Sequence, residues 1–185
     1  MINAQRNFFR RSAVPALLFL ALGTGTHALA DDFRLESIGA RGGTSFSTTW
    51  NRISEGELFA DFNLPWRWDL GKEWSLQTKL NTSVGWIGGG GDNGVEGTAG
   101  PALQLFPPNF PLSLEAGSSA TGLSRDIYGK ENLGTLFQFT TYIGVDFDIT
   151  KHIRLGYRFQ HISNAGMSQH NPGINVNMLA LSYVF

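Results

Sequence analysis

The sequence predicts an all-β fold, an eight-stranded antiparallel transmembrane β-barrel of the bacterial outer membrane. Three features support this prediction: a leader-like N-terminus, segments in which apolar and polar residues alternate, and an aromatic residue at the last position, Phe185. After the leader, no apolar run approaches the roughly 20 residues that a transmembrane helix needs. The chain contains no cysteine, which excludes a disulfide framework and a thiolate metal site.

The N-terminus has the features of a secretory signal peptide, which we assign to residues 1–30. Three arginines precede an apolar stretch over residues 14–23, and small residues typical of a cleavage site stand at positions 28–30. We therefore expect a single barrel domain over residues 31–185. This length is sufficient for one domain.

The charge balance argues against a nucleic-acid-binding protein. Removal of the three leader arginines leaves 11 basic against 15 acidic residues, a formal charge of −4. Binding to nucleic acid requires a basic surface. No set of side chains has convincing metal-ligand spacing, so we predict no metal or organic cofactor.

Alternation is clearest between Trp74 and Trp86, where the even-numbered residues are mostly apolar and the odd-numbered residues polar. The two tryptophans lie roughly 40 Å apart along a strand, and tilt reduces this to about 30 Å along a barrel axis. That spacing matches aromatic girdles on either side of a bilayer. Segments 58–64, 137–147 and 153–159 alternate in the same way. Alternation alone fits a soluble sandwich as well as a barrel; the leader, the terminal phenylalanine and the turn lengths favour the barrel.

Eight strands are predicted, and their connections alternate in length. The strands cover residues 33–43, 55–64, 73–86, 95–106, 111–119, 135–147, 152–163 and 174–185. The predicted periplasmic turns are 65–72, 107–110 and 148–151, and the predicted outer loops are 44–54, 87–94, 120–134 and 164–173. Charged residues of polar parity are expected to form an ion-paired interior: Glu57, Asp61, Lys79, Glu115, Asp146, Arg154 and Arg158.

His161 and Ser163 are the candidate catalytic pair. They continue the outward-facing parity of the seventh strand, and Asn175 has the outward parity of the eighth. A potential base and a potential nucleophile therefore face lipid at the outer end of the barrel. A hydrolytic group at that level would meet acyl chains near their ester bonds.

The segment His161-Ile162-Ser163-Asn164-Ala165-Gly166, followed by Gln169, Asn171, Gly173 and Ile174, resembles the active-site segment of the PagL lipid A deacylase family. Members of that family are eight-stranded outer-membrane barrels. The resemblance implies a serine esterase that hydrolyses the 3-O-linked acyl chain of lipid A. It also implies lipopolysaccharide and outer-membrane lipids as partners, an active site facing the outer leaflet, and a homodimer as one assembly known in the family.

The resemblance further implies roles for individual residues. Ser163 would be the nucleophile and His161 the base. Asn171 and the Gly166 backbone N–H match positions proposed to hold the oxyanion, and Asn164 would support the site. The sequence departs from the family at the third triad position, where Asn175 replaces a glutamate.

Two alternatives stay open from the sequence. The first is a catalytically inactive or structural small outer-membrane barrel. The second is a phospholipase, a weaker hypothesis because nothing in the sequence indicates a calcium site.

Overall fold

The computed structural model describes residues 29–30, 33–46, 52–71, 73–107 and 109–185. The predicted signal peptide lies outside these residues except for its last two positions. Those two form the short strand β1 (Leu29–Ala30), which pairs with Trp66 and Arg67. The described residues contain no helix long and apolar enough to cross a membrane.

Eight long strands form one closed antiparallel barrel, as the sequence predicts. They are β2 (Arg34–Ser45), β3 (Ile53–Asp69), β4 (Ser75–Gly89), β5 (Asp92–Phe106), β6 (Leu112–Leu123), β9 (Phe137–Asp148), β10 (Ile153–Ser163) and β11 (Ile174–Val184). Each pairs with its neighbours in the chain, and β11 pairs with β2 to close the sheet. A separate hairpin of β7 (Ile127–Tyr128) and β8 (Glu131–Asn132) lies between β6 and β9.

Burial follows the predicted parity. Along β10 the outward residues Leu155 and Tyr157 are exposed, whereas Arg158 and Gln160 are buried inside. Both Trp74 and Trp86 are exposed on the outer surface. The barrel therefore has an apolar outer face and a polar interior, the arrangement of a membrane barrel.

The interior is held by ion pairs. Among the predicted charges, Asp146 and Arg154 are half-buried, and the following are buried: Glu57, Asp61, Lys79, Glu115 and Arg158. Arg158 Nη2 lies 2.9 Å from Glu115 Oε1, and its guanidinium lies 3.6 Å from the centre of the Tyr142 ring. Sequence analysis missed four further interior charges: Glu36, which pairs with Lys79 and Arg154; Arg41, which pairs with Glu57; and Glu55 and Glu96.

The two ends of the barrel differ. At the loop end, which carries connections 90–91, 124–136 and 164–173, a set of buried side chains forms an apolar cap: Ile53, Ile87, Leu123, Tyr128, Leu133, Ile162, Ile174, Val176 and Met178. Burial raises the pKa of Tyr128 to about 12, so its hydroxyl stays protonated at neutral pH. At the opposite turn end, a polar cavity of about 320 Å³ opens beside Arg67 and Arg154.

Two predicted connections were wrong. The predicted turn at 65–72 is largely strand, because β3 continues to Asp69. Its pairing with β4 shifts register between Asn63 and Arg67, and this irregularity accommodates Pro65 within the strand. The predicted loop at 87–94 is a two-residue turn at Gly90 and Gly91, whose φ angles of 60° and 93° are typical of a type I′ hairpin.

Replacing Arg158 by Met should destabilise the barrel by about 3–5 kcal/mol, because Glu115 would be left as a buried, unpaired charge. Urea unfolding in detergent micelles, followed by tryptophan fluorescence, measures this loss. Replacing the partly exposed Arg125, which pairs with Asp92, should cost about 1 kcal/mol or less. Equal losses for the two variants would contradict an interior held by buried ion pairs.

Candidate active site

His161 lies on the outer face of β10, near the loop end, where its register partner on β11 is Asn175. The side chain is exposed, and its Nδ1 lies 2.8 Å from Asn175 Oδ1. An amide oxygen only accepts hydrogen bonds, so Nδ1 must carry the proton. In the neutral ring, Nε2 is then the nitrogen that can act as a base.

Ser163 is the last residue of β10 and faces outward on the same side as His161. The residues on either side, Ile162 and Asn164, are buried, whereas Ser163 is half-buried. Among the described residues, none makes a hydrogen bond with Ser163 Oγ, His161 included. Catalytic hydrogen bonds are often long when no substrate is bound. The lack of a hydrogen bond between His161 and Ser163 is therefore compatible with a catalytic pair.

Asn164 organises the loop over residues 164–173. Its side chain is fully buried; Nδ2 donates to the backbone oxygens of Leu133, at 2.8 Å, and His170, at 2.7 Å. Its Oδ1 accepts from the Gly166 N–H at 2.9 Å. Because Leu133 belongs to the apolar cap, this one side chain anchors the loop to the end of the barrel.

The two predicted oxyanion donors differ in their contacts. Asn171 Oδ1 accepts from the Asn164 backbone N–H at 3.1 Å, which fixes the amide and leaves Nδ2 without an acceptor among the described residues. The Gly166 N–H already donates to Asn164 Oδ1, so it would have to exchange that bond to reach an oxyanion. Of the two predicted donors, Asn171 is therefore the one whose N–H groups are not already used in a hydrogen bond to a described residue.

Similarity to known proteins identifies the family of this chain. A sequence model of the family described as "Lipid A 3-O-deacylase (PagL)" matches residues 54–184. This chain belongs to that family. The barrel fold, its apolar outer face and membership of the PagL family make it an outer-membrane protein.

Individual relatives of the PagL family extend the match. The chain is 32% identical over 125 residues to "Lipid A deacylase PagL" of Bordetella bronchiseptica, covering 65% of this chain and 70% of that protein. It is 31% identical over 134 residues to the protein of the same name from Pseudomonas aeruginosa, covering 64% and 75%. A solved structure, "Crystal structure of the outer membrane enzyme PagL", superposes with a TM-score of 0.70 at 21% identity, covering 79% of this chain and 97% of that chain. At that identity the superposition supports the fold.

In this PagL family member, polar side chains on the lipid-facing wall around His161 form hydrogen bonds that sequence analysis did not predict. Thr141 is the register partner of His161 on β9, and its hydroxyl lies 3.2 Å from Ser118 Oγ. Below the site, Tyr157 donates a hydrogen bond to Asn177 Oδ1. Parity shows which face of the sheet a residue lies on, but it does not show which residue of the next strand lies beside it. The register between the strands would have been needed to predict both contacts.

No group of three or more His, Asp or Glu side chains within the described ranges is arranged to hold a metal ion. The cavity beside Arg67 and Arg154 lies at the turn end, away from His161. The side chains that the candidate site brings together are a histidine, a serine and amide groups.

Replacing Asn164 by Ala should loosen the loop over residues 164–173, because the carbonyls of Leu133 and His170 would each lose a donor and the Gly166 N–H would lose its acceptor. A hydrogen bond contributes about 0.5–1.5 kcal/mol net, so we expect the loss of these three bonds to cost about 2–4 kcal/mol. Hydrogen exchange of the Gly166 amide should accelerate. The exposed Gln169, replaced by Ala, is the control within the same loop. Unchanged exchange in the Asn164 variant would contradict its anchoring role.

Proposed function

We propose that this chain hydrolyses the 3-O-linked acyl ester of lipid A, with Ser163 as the nucleophile and His161 as the general base. The observation that carries this proposal is the hydrogen bond from His161 Nδ1 to Asn175 Oδ1 on the lipid-facing wall of a PagL family barrel. This bond orients a neutral imidazole with its basic nitrogen free, on the same outward face as a serine. Both curated relatives carry the name lipid A deacylase.

The proposed reaction has two stages. In the first, Ser163 Oγ attacks the ester carbonyl while His161 Nε2 takes its proton, and the oxyanion forms near Asn171 Nδ2. The tetrahedral intermediate then expels the sugar hydroxyl, which receives the proton from His161. In the second stage, water attacks the acyl-enzyme with help from His161, releasing a fatty acid and restoring Ser163.

The position of the site suits a lipid substrate in the outer leaflet. His161 and Ser163 lie on the outer wall, not in the interior, so an acyl chain could approach them from within the membrane. Exposed aromatic side chains flank the serine on β9: Phe139 is its register partner, and Phe137 packs against Phe139 with ring centres 5.2 Å apart. We propose that the loop end faces the cell exterior, where the ester bonds of lipid A lie.

Asn175 gives the proposed triad an uncharged third member. Its oxygen fixes the histidine tautomer, the role that a carboxylate also performs. It supplies no negative charge to stabilise the imidazolium that forms during attack. The proposed enzyme thus keeps the orientation of the base and gives up part of its electrostatic stabilisation.

Mass spectrometry of lipid A after incubation with the refolded protein tests the reaction. The unmodified protein should remove a single 3-O-linked acyl chain. The Ser163→Ala variant should remove none while folding normally, because it lacks the nucleophile. Replacing the exposed loop residue His170 by Ala should leave cleavage intact.

Each contrary result has a specific meaning. Cleavage by a folded Ser163→Ala protein would overturn the serine mechanism. Intact lipid A with a folded unmodified protein would overturn the proposed function and favour a structural barrel. Faster cleavage of glycerophospholipids than of lipid A would favour a phospholipase.

Replacing Asn175 by Asp should raise kcat by about fivefold. A hydrogen bond to a charged group contributes about 1 kcal/mol more than a neutral one, and about 1.4 kcal/mol corresponds to a factor of ten in rate. The Asn175→Leu variant removes the acceptor and should lower kcat instead, because the tautomer is no longer fixed. Initial rates at saturating lipid A measure both effects. Equal rates for all three proteins would show that Asn175 does not act on His161.

A further inference from the structure

Gly173 is the last residue of the loop before β11. The pairs His161 with Asn175 and Ile162 with Ile174 define the register, which, continued by one position, would place Gly173 opposite Ser163. Gly173 has a φ of +67°, a conformation that favours glycine. Neither the predicted mechanism nor the family resemblance assigns it a role.

The space that a side chain at position 173 would fill is occupied by the imidazole of His161. A Cβ built on Gly173 would lie 2.7 Å from His161 Cε1, 3.3 Å from Nε2 and 3.7 Å from Nδ1. The Cε1 edge of the imidazole therefore fills the space in which a side chain at position 173 would begin. A contact of 2.7 Å is shorter than van der Waals packing allows, so any larger residue would displace the ring.

The same contact sets the level of the ring along the barrel wall. Directly opposed residues on antiparallel strands have Cβ atoms about 4.5–5.5 Å apart. The imidazole occupies the space of a Cβ at position 173, so on the continued register it leans from its own level on β10 toward the level of Ser163. A side chain at position 173 would push the ring away from the serine.

We propose that Gly173 is a positioning residue for His161. Its missing side chain forms the surface on which the imidazole rests, while Asn175 holds the ring at Nδ1. Together these two contacts direct Nε2 toward Ser163. The proposal deepens the proposed function and rests on it, since the effect on catalysis requires His161 to be the base.

Positive φ alone does not explain the glycine. Asparagine and aspartate also tolerate this region of backbone space, yet either would bring a Cβ into the ring. Gly91 provides a matched control, because its φ is +93° and a Cβ there would meet nothing within 4 Å. The Gly91→Ala variant thus carries the backbone strain without the contact with His161.

The first experiment compares the kinetics of Gly173→Ala and Gly91→Ala on lipid A. A displacement of about 1 Å in a catalytic group can reduce the rate about 100-fold, so we expect a loss of that order in kcat for Gly173→Ala. KM should change by less than about twofold, because Gly173 does not bind substrate and only the chemical step is affected. Gly91→Ala should retain the activity of the unmodified protein. Equal kcat values for the two variants would overturn the proposal.

The second experiment does not depend on activity. The imidazole resonances of His161, assigned with a His161→Gln variant in histidine-labelled protein, should shift in Gly173→Ala and stay unchanged in Gly91→Ala. Unfolding by urea should show that Gly173→Ala destabilises the protein more than Gly91→Ala does. This excess should disappear when His161 is also replaced by Ala, because the colliding ring is gone.

The two proposals fail in different ways. If the unmodified protein leaves lipid A intact, the proposed function fails, and the resonance and unfolding measurements still decide where the ring rests. If lipid A is cleaved but the His161 resonances are the same in Gly173→Ala, the positioning role is overturned. The positioning role would also be overturned if Gly173→Ala still destabilised the protein more than Gly91→Ala after His161 had been replaced by Ala.

Discussion

The pairing of β11 with β2, which closes the sheet, is the constraint on which the rest of this structure depends. A membrane supplies no hydrogen-bond partners to a free sheet edge, so a spanning sheet must close. The register from Val176 opposite Ser45 to Val184 opposite Ser37 satisfies the last two edges. Once the sheet is closed, each residue's parity determines whether it meets lipid or the interior. Both the ionic interior and the outward active site follow from this closure.

The interior and the site are linked through the same strand. On β10, Arg158 and Gln160 point inward and bind Glu115 and Glu55, while Tyr157 and His161 point outward. Buried ion pairs require accurate geometry, because each lost partner leaves an uncompensated charge. The interior contacts therefore restrain the wall from which His161 projects. A catalytic residue on such a strand is held more accurately than one on a free loop.

Parity and spacing predicted the eight strands, seven of the interior charges and the outward position of His161, Ser163 and Asn175, because these depend on a repeat of two along each strand. The connections were harder. The predicted turn at 65–72 lies largely within β3, where the strand pairing shifts register, and the predicted loop at 87–94 is shortened to a turn at two glycines with positive φ angles. The anchoring of Asn164 to the Leu133 carbonyl was beyond sequence reasoning, because it joins residues 31 apart through loop packing.

The lipid-facing wall also explains why an asparagine suits position 175, the third position of the proposed triad. Polar groups exposed to hydrocarbon are costly unless they are paired, and charged groups cost more. Around the site, Tyr157 bonds Asn177, Ser118 bonds Thr141 and His161 bonds Asn175, so each of these side chains has a polar partner. A carboxylate at position 175 would place a negative charge on this lipid-facing wall. That charge would be unpaired whenever the histidine is neutral. Asparagine keeps the histidine oriented without that resting cost, at the expense of weaker stabilisation during the reaction. Among the described residues, Ser163 Oγ takes no part in these pairs, so it stays free for the role of nucleophile that we propose.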